Sequence, residues 1–203
     1  LKLVDDVIKE PLNGAHRNQE EMFSIVKKEI KQYIKELEKI PAGRKHAKAY
    51  AEQIRKIFTA LYDGEFVNGE LEEHSVDGLY FYDVTFGNSA KTSFFQFLRN
   101  QGIKAGLTLF EAKNYDKTKI GNAQYNQASG YTILGGREIV FLVSRDSVDD
   151  KSIQRARRHF LSHKVLILPL SDKDIIEVLK GRKNNPEQFD IPLITRAKKI
   201  MEA

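Results

Sequence analysis

The sequence predicts an α/β fold whose sheet is parallel in part. Three observations carry that expectation. Four runs rich in apolar and β-branched residues read as strands: 79–86 (LYFYDVTF), 107–113 (LTLFEAK), 138–144 (EIVFLVS) and 164–170 (KVLILPL). Stretches with helical periodicity separate them, and strands alternating with helices favour parallel pairing. With 203 residues, 41% hydrophobic and 30% charged, the chain can bury one ordinary core and carry an appendage.

The elements follow in order. Residues 19–40 predict a helix, because Met22, Ile25, Val26, Ile30, Tyr33, Ile34 and Leu37 recur at helical spacing. Asn18 with Glu21 resembles a capping box. Pro41-Ala42-Gly43 ends this helix, which sets a helical appendage at 1–43 apart from a domain at 44–203. A second helix is expected from Lys45 to Leu61, with Ile54, Ile57, Phe58 and Leu61 as its stripe. Asp63-Gly64 and Asn68-Gly69 read as turns. After the strand at 79–86, residues 91–101 predict a helix carrying Phe94, Phe95 and Leu98. The strand at 107–113 leads to a helix at 119–133, although Gly121 and Gly130 weaken it. The strand at 138–144 precedes a basic helix at 149–162, and the strand at 164–170 follows. Ser171, with Asp174 at the third helical position, caps a helix running to about Lys180. Asn184, Asn185 and Pro186 form a loop before a short terminal helix.

Composition excludes several classes. The chain has no cysteine, which removes disulfides, thiol catalysis and cysteine-ligated metals and fits a reducing cytoplasm. No apolar run approaches the length of a membrane span. The opening LKLVDDVIKE lacks the order of a signal peptide, and it starts on leucine, as a trimmed chain would. A net charge of +5 gives a mild bias towards polyanionic partners.

The chemistry centres on FEAKNY, residues 110–115. Alternate side chains of a strand share a face, so Glu111 and Lys113 point the same way. Charges at the end of an apolar strand are either solvated at a surface or placed for chemistry, because interior charges need partners. Asp83 lies in an aromatic strand, with Tyr82 and Val84 on the other face. Adjacent elements usually neighbour one another, so Asp83, Glu111 and Lys113 are expected to converge. Two converging carboxylates suit a hard divalent cation, Mg²⁺ first and Mn²⁺ second. Such a cation activates water and neutralises charge on a phosphate, while a lysine orients the water or stabilises developing charge. This set does what phosphodiester hydrolysis requires.

These residues carry a resemblance. Asp83, followed by Glu111-Ala112-Lys113 at the end of an apolar strand, resembles the motif of the PD-(D/E)XK nuclease superfamily. Tyr82-Asp83 stands where that motif has Pro-Asp. Gln127-Ala128-Ser129-Gly130-Tyr131 resembles the QxxxY element of RecB-like members, and a helix sets such residues on one face. Glu52 resembles the first-helix glutamate that some members add to the metal site, with Glu65, Glu72 and Glu73 as rivals. Residues 45–180, with Lys113-Asn114-Tyr115, are most similar to the Mrr-like restriction endonuclease branch. The resemblance implies a restriction-endonuclease-like mixed sheet flanked by helices, and a Mg²⁺-dependent endodeoxyribonuclease in a restriction or phage-defence role. It implies Asp83, Glu111 and Glu52 as metal ligands, Lys113 as the catalytic cation, and Gln127 with Tyr131 as organisers of the site. DNA is the expected partner, with a homodimer as the expected assembly and the cytoplasm as the location.

The basic helix offers Arg155, Arg158 and Lys164 either as a solvated face or as a phosphate track. His159 and His163 share a face but lack the further ligands of a zinc site. Gly135-Gly136-Arg137 reads as a turn, because it lacks the ending of a phosphate loop.

A second resemblance lies at the start. Residues 1–40, above all 4–18 (VDDVIKEPLNGAHRN), resemble the C-terminal tail of the carboxyltransferase α subunit of acetyl-CoA carboxylase, with Asn13 in place of a glycine. It omits that enzyme's acyl-CoA fold, so it implies no carboxyltransferase activity. His16 and Arg17 are expected to cap or dock the segment. Two other readings therefore stand beside the nuclease: a nucleic-acid-binding module of the same fold without activity, and a carboxyltransferase-associated interaction domain.

Overall fold

The computed structural model describes residues 28–63, 66–74, 81–88, 92–116, 120–133, 138–145 and 147–202. The Asn18–Glu21 box, His16, Arg17, Glu65 and the 135–137 turn lie outside them. Helix α1 (28–39) leads through the Pro41–Gly43 break and a 3₁₀ turn at Arg44–His46 into α2 (Ala47–Leu61). Then come β1 (Phe66–His74), β2 (Phe81–Asn88), α3 (Ser93–Asn100), β3 (Leu107–Lys113), α4 (Asn122–Ile133) and β4 (Ile139–Ser144). The chain continues with α5 (Asp150–His163), β5 (Leu166–Ser171), α6 (Asp172–Asn184) and α7 (Ile191–Met201).

The fold is mixed α/β, as the sequence predicts. The sheet runs β1-β2-β3-β4-β5, with β1, β2 and β3 antiparallel and β3, β4 and β5 parallel. Strand β1 corrects the reading of Asn68-Gly69 as a turn. Those two residues sit where the β1–β2 register shifts between Val67 and Glu70. A glycine inside a strand often marks such a bulge, so the turn chemistry was real but local. Pro169 lies within β5, which is tolerated because β5 is an edge strand with one ladder to satisfy.

Alternation divides β3 between two faces. Phe110 stacks on Phe141 at 4.6 Å and meets the Phe58 ring of α2 at 4.4 Å. Phe86 and Phe95 join the same aromatic layer, so α2 and α3 cover this side. Glu111 and Lys113 therefore face the other side, with their register partners Leu142 and Ser144. Helices α4 and α5 cover that side. The described part of the 1–43 segment packs into the shared core through Ile30 and Leu37, both buried. Gln53 Nε2 in turn donates to the Tyr33 carbonyl at 3.2 Å.

The predicted capping box is present. Ser171 N and Oγ both donate to Asp174 Oδ2 at 2.7 Å, and Asp174 N donates back to Ser171 Oγ at 3.3 Å. Arg196 adds a bond to Asp174 Oδ1 at 2.6 Å, which ties α7 to α6. Burial pushes the Asp174 carboxyl up, but the bonds from Arg196 and Ser171 outweigh it and hold the group below its usual range. A lowered carboxylate pKa contributes stability above the unfolded value that is lost as pH falls through the folded one. Asp174→Asn should cost about 1–3 kcal/mol at neutral pH. The gap from wild type should narrow as pH falls below about 4, the unfolded value, and close once pH is below the lower folded value. Denaturant melts from pH 7 to pH 2 measure this, and a constant gap would contradict it.

Candidate active site

The three parallel strands end level. Lys113 pairs with Ser144, and Ser144 with Ser171, so the next residues, Asn114, Arg145 and Asp172, form a polar row at the carboxyl edge of the sheet. Ligand sites in open α/β sheets favour that edge.

On the face away from the aromatic layer, Asp83, Glu111 and Lys113 come together. The antiparallel register places Val84 opposite Phe110, and one step further sets Asp83 opposite Glu111. The two strands separate there, because Ala112 N donates to Asp83 Oδ2 at 2.6 Å instead of to a backbone carbonyl of β2. Lys113 Nζ pairs with Glu111 Oε1. Glu111 is only 2% exposed, which removes the alternative of a solvated strand end. Burial alone would lower the Lys113 pKa, but the Glu111 carboxylate, then Asp83 and Tyr115, raise it above its ordinary value. The lysine therefore stays charged with two carboxylates in its field. Two oxygen-donor acids and one fixed cation can hold a hard cation and stabilise an anionic transition state.

The row beyond the strand ends holds this site to the rest of the molecule. Arg145 donates through Nε to Asn114 Oδ1 at 2.8 Å and through Nη1 to Asp172 Oδ2 at 2.7 Å. It also reaches the Leu37 carbonyl at 3.3 Å and the Ile40 carbonyl at 2.7 Å, which closes the C-terminal turn of α1. Its guanidinium lies 4.3 Å from the Tyr50 ring centre, and Tyr50 Oη donates to Asp172 Oδ1 at 2.6 Å. Burial, then the Asp172 charge and bond, push the Tyr50 hydroxyl far above its usual range despite Arg145, so it remains a donor. Asn114 donates to the carbonyls of Pro41 and Gly43 at 3.1 and 2.9 Å, and its own carbonyl accepts from Gly43 N at 2.8 Å. Sequence reading passed over Arg145, Asp172 and Tyr50. The available signal was that a polar residue directly follows each parallel strand.

Other predicted residues lie elsewhere. Glu52 is bonded at 2.9 Å to Arg55 through each carboxylate oxygen, with Lys56 at 3.9 Å. Helix α2 covers the aromatic face, so the structure does not bring Glu52 to Glu111. Gln127 is exposed, on the side of α4 away from the buried Tyr125, Ala128 and Ser129. Tyr131 lies in the last turn of α4, and its side chain is outside the described atoms, as are those of Glu72 and Glu73. Gln124 is the glutamine that turns towards the strand end: its Nε2 lies 3.4 Å from Tyr115 Oη, while its Oε1 accepts from Gly121 N at 2.9 Å. On α5, Arg155 donates to Asn122 at 2.9 Å and Arg158 is exposed. The Lys164 ammonium lies 5.3 Å from the Phe160 ring centre. Among the described residues no group of three or more His, Asp or Glu side chains is arranged for a metal. Nor, among them, is any helix long and apolar enough to cross a membrane.

Comparison with known proteins adds one finding. The family of acetyl co-enzyme A carboxylase carboxyltransferase-like proteins matches residues 1–57. The match takes in α1 and most of α2, beyond the 1–40 that the sequence resemblance covers. No curated protein and no solved structure matches the chain.

Arg145→Leu should remove every donor that ties Asn114 and Asp172 together. Losing one partner of a fully buried pair costs about 3–5 kcal/mol. The Arg145 and Asp172 side chains keep 16% and 19% of their exposure, so about 2–3 kcal/mol is expected. Tyr50→Phe should cost about 1 kcal/mol. Denaturant unfolding gives both values, and equal losses from the two variants would deny Arg145 its organising role.

Proposed function

We propose that the chain is a metal-dependent nuclease that hydrolyses phosphodiester bonds in DNA. The observation that carries the reading is the meeting of Asp83, Glu111 and a charge-fixed Lys113 where β2 and β3 part. The donor set is carboxylate oxygen, which fits Mg²⁺ or Mn²⁺ held by Asp83 and Glu111 with water completing the shell. The ion would supply charge neutralisation and an activated water. Lys113 holds its positive charge beside the position of the scissile phosphate and needs no reorganisation as negative charge develops there. Asp83 accepts from Ala112 N, which fixes its carboxylate relative to β3. Exposed Arg158 and Lys164, on the side of the sheet that bears Glu111, supply charge for phosphates. A role in restriction or phage defence, in the cytoplasm and as a homodimer, follows from the nuclease resemblance.

The match at residues 1–57 favours one second reading, a domain that docks on a carboxyltransferase subunit. Pull-down with that subunit, using the full chain, tests it.

The nuclease reading predicts nicking of a supercoiled plasmid with Mg²⁺ and none with a chelator. Lys113→Gln should lower single-turnover cleavage by about 10²–10³ with little change in the Mg²⁺ requirement. Glu111→Gln should raise the Mg²⁺ concentration needed, since a charged ligand is removed. Absence of Mg²⁺-dependent nicking by folded wild type would sink the reading.

Binding to duplex DNA should weaken steeply with salt. Charge reversal at Arg158 and Lys164 should reduce the slope of log K against log salt by about 0.9 for each phosphate that is no longer neutralised. An unchanged slope would remove α5 from the interface.

A further inference from the structure

A cavity of about 470 Å³ lies between α1, α2 and α6. Among the described residues no strand lines it, so it is separate from Asp83, Glu111 and Lys113. Ile30, Leu61 and Leu179, all buried, form its floor. Tyr33, Ala60 and Pro186 form half-buried walls. Pockets for drug-sized ligands run to about 300–1,000 Å³, and this one falls within that range.

The charges at its mouth select the occupant. Arg55 is already committed, because its Nε and Nη2 each donate to Glu52 at 2.9 Å. Lys56 lies 3.9 Å from the same carboxylate. Arg182 differs. It is half-buried, its Nη1 donates to the Pro186 carbonyl at 2.9 Å, and its guanidinium lies 4.9 Å from the Phe189 ring centre. These contacts orient the guanidinium and leave Nε and Nη2 as open donors. Glu29 and Asp63 also line the cavity, but both are exposed, where water and salt screen them. Burial, then the charges of Glu29 and Glu36, raise the Tyr33 hydroxyl above its ordinary range, so it stays a neutral donor. An apolar floor beneath an oriented guanidinium suits an apolar molecule with one carboxylate, since that planar fork meets a carboxylate through two parallel bonds.

We propose that this cavity binds a small organic acid, an apolar body bearing one carboxylate that pairs with Arg182. The apolar body fills the space over Ile30, Leu61 and Leu179, and the carboxylate accepts from Nε and Nη2 at the mouth. The site goes beyond the nuclease reading and does not depend on it. Its walls come from three helices, so an occupant ties α1 to α2 and α6 and stabilises the fold by mass action.

Calorimetric titration of the full chain with 4-phenylbutanoate, 4-phenylbutanol and 4-phenylbutylamine tests this. The three share an apolar body and differ in charge. The acid should bind about tenfold more tightly than the alcohol, the low end of what a charge-assisted hydrogen bond contributes, and the amine should bind no better than the alcohol. Arg182→Met keeps an apolar stem, so the acid should lose its advantage while the alcohol still binds. Ala60→Phe, which fills the cavity from α2, should block both while circular dichroism stays unchanged. The wild-type series decides even where a variant fails to fold. No binding of the acid, equal affinity for acid and alcohol, or tighter binding of the amine would each overturn the proposal. So would an advantage that survives Arg182→Met, or binding that survives Ala60→Phe. A wild-type dimer that leaves the acid unbound and that Ala60→Phe dissociates in sedimentation would assign the cavity to a second copy and overturn the proposal as well.

Discussion

Arg145 is the constraint on which the site depends. A guanidinium offers five donors in a rigid plane, and here they reach two side chains and two backbone carbonyls. The carbonyls of Leu37 and Ile40 belong to a helix end, where the i to i−4 donors run out and only Ile40 N reaches back, to the Leu37 carbonyl at 3.4 Å. Without Arg145 the Ile40 carbonyl would lose this donor, and the Leu37 carbonyl would be left with the 3.4 Å bond from Ile40 N. Asp172 would keep only the Tyr50 hydroxyl among its bonds here, and Asn114 would lose the donor that fixes its amide. A lysine could not replace it, because a point charge on a flexible stem cannot address four acceptors in one plane.

That rigidity has a use one residue back along β3. Lys113 precedes Asn114, and Asn114 is pinned by backbone and side chain to the 41–43 turn. The end of the strand therefore has little freedom, which limits where the lysine can carry its charge. Burying Glu111 and Lys113 is unfavourable for each alone. Their pairing offsets this, and Asp83 adds attraction for the lysine while its carboxylate is held by Ala112 N. A fixed charge in a site shielded from water acts more strongly on an anionic transition state than the same charge on a mobile surface side chain.

Much of this was legible in the sequence. The buried strands β3, β4 and β5 are short apolar runs bounded by helices, and Ser171 with Asp174 states its cap in four letters. Glu111 and Lys113 could be placed together because alternation on a strand is local. Strand β1 was not legible, since Asn68-Gly69 is turn chemistry wherever it occurs and only pairing with β2 shows it to be a bulge. The Arg145 cluster was hidden for a related reason. Its members come from α1, α2 and the ends of three strands, and nothing in the spacing of 50, 114, 145 and 172 announces contact. Glutamine placement on α4 turned on the helix phase. Gln124 and Gln127 are both polar, and the buried stripe of Tyr125, Ala128 and Ser129 decides which can turn inward.

The two resemblances meet inside one core, and that bears on how the chain can be divided. The matched segment ends at Ile57, within α2. Helix α2 buries Tyr50, Ile54, Ile57 and Phe58, and Phe58 packs on the two rings that back β3 and β4. Within the matched stretch, Leu37 is fully buried and Ile40 lends Arg145 its carbonyl. A cut at residue 43 would uncover the first layer of the core and orphan the clamp behind Lys113. The carboxyltransferase-like segment and the acidic site thus share a hydrophobic face and a hydrogen-bond network. A partner that grips α1 would, through Arg145 and Asn114, bear directly on the strand end that carries Lys113.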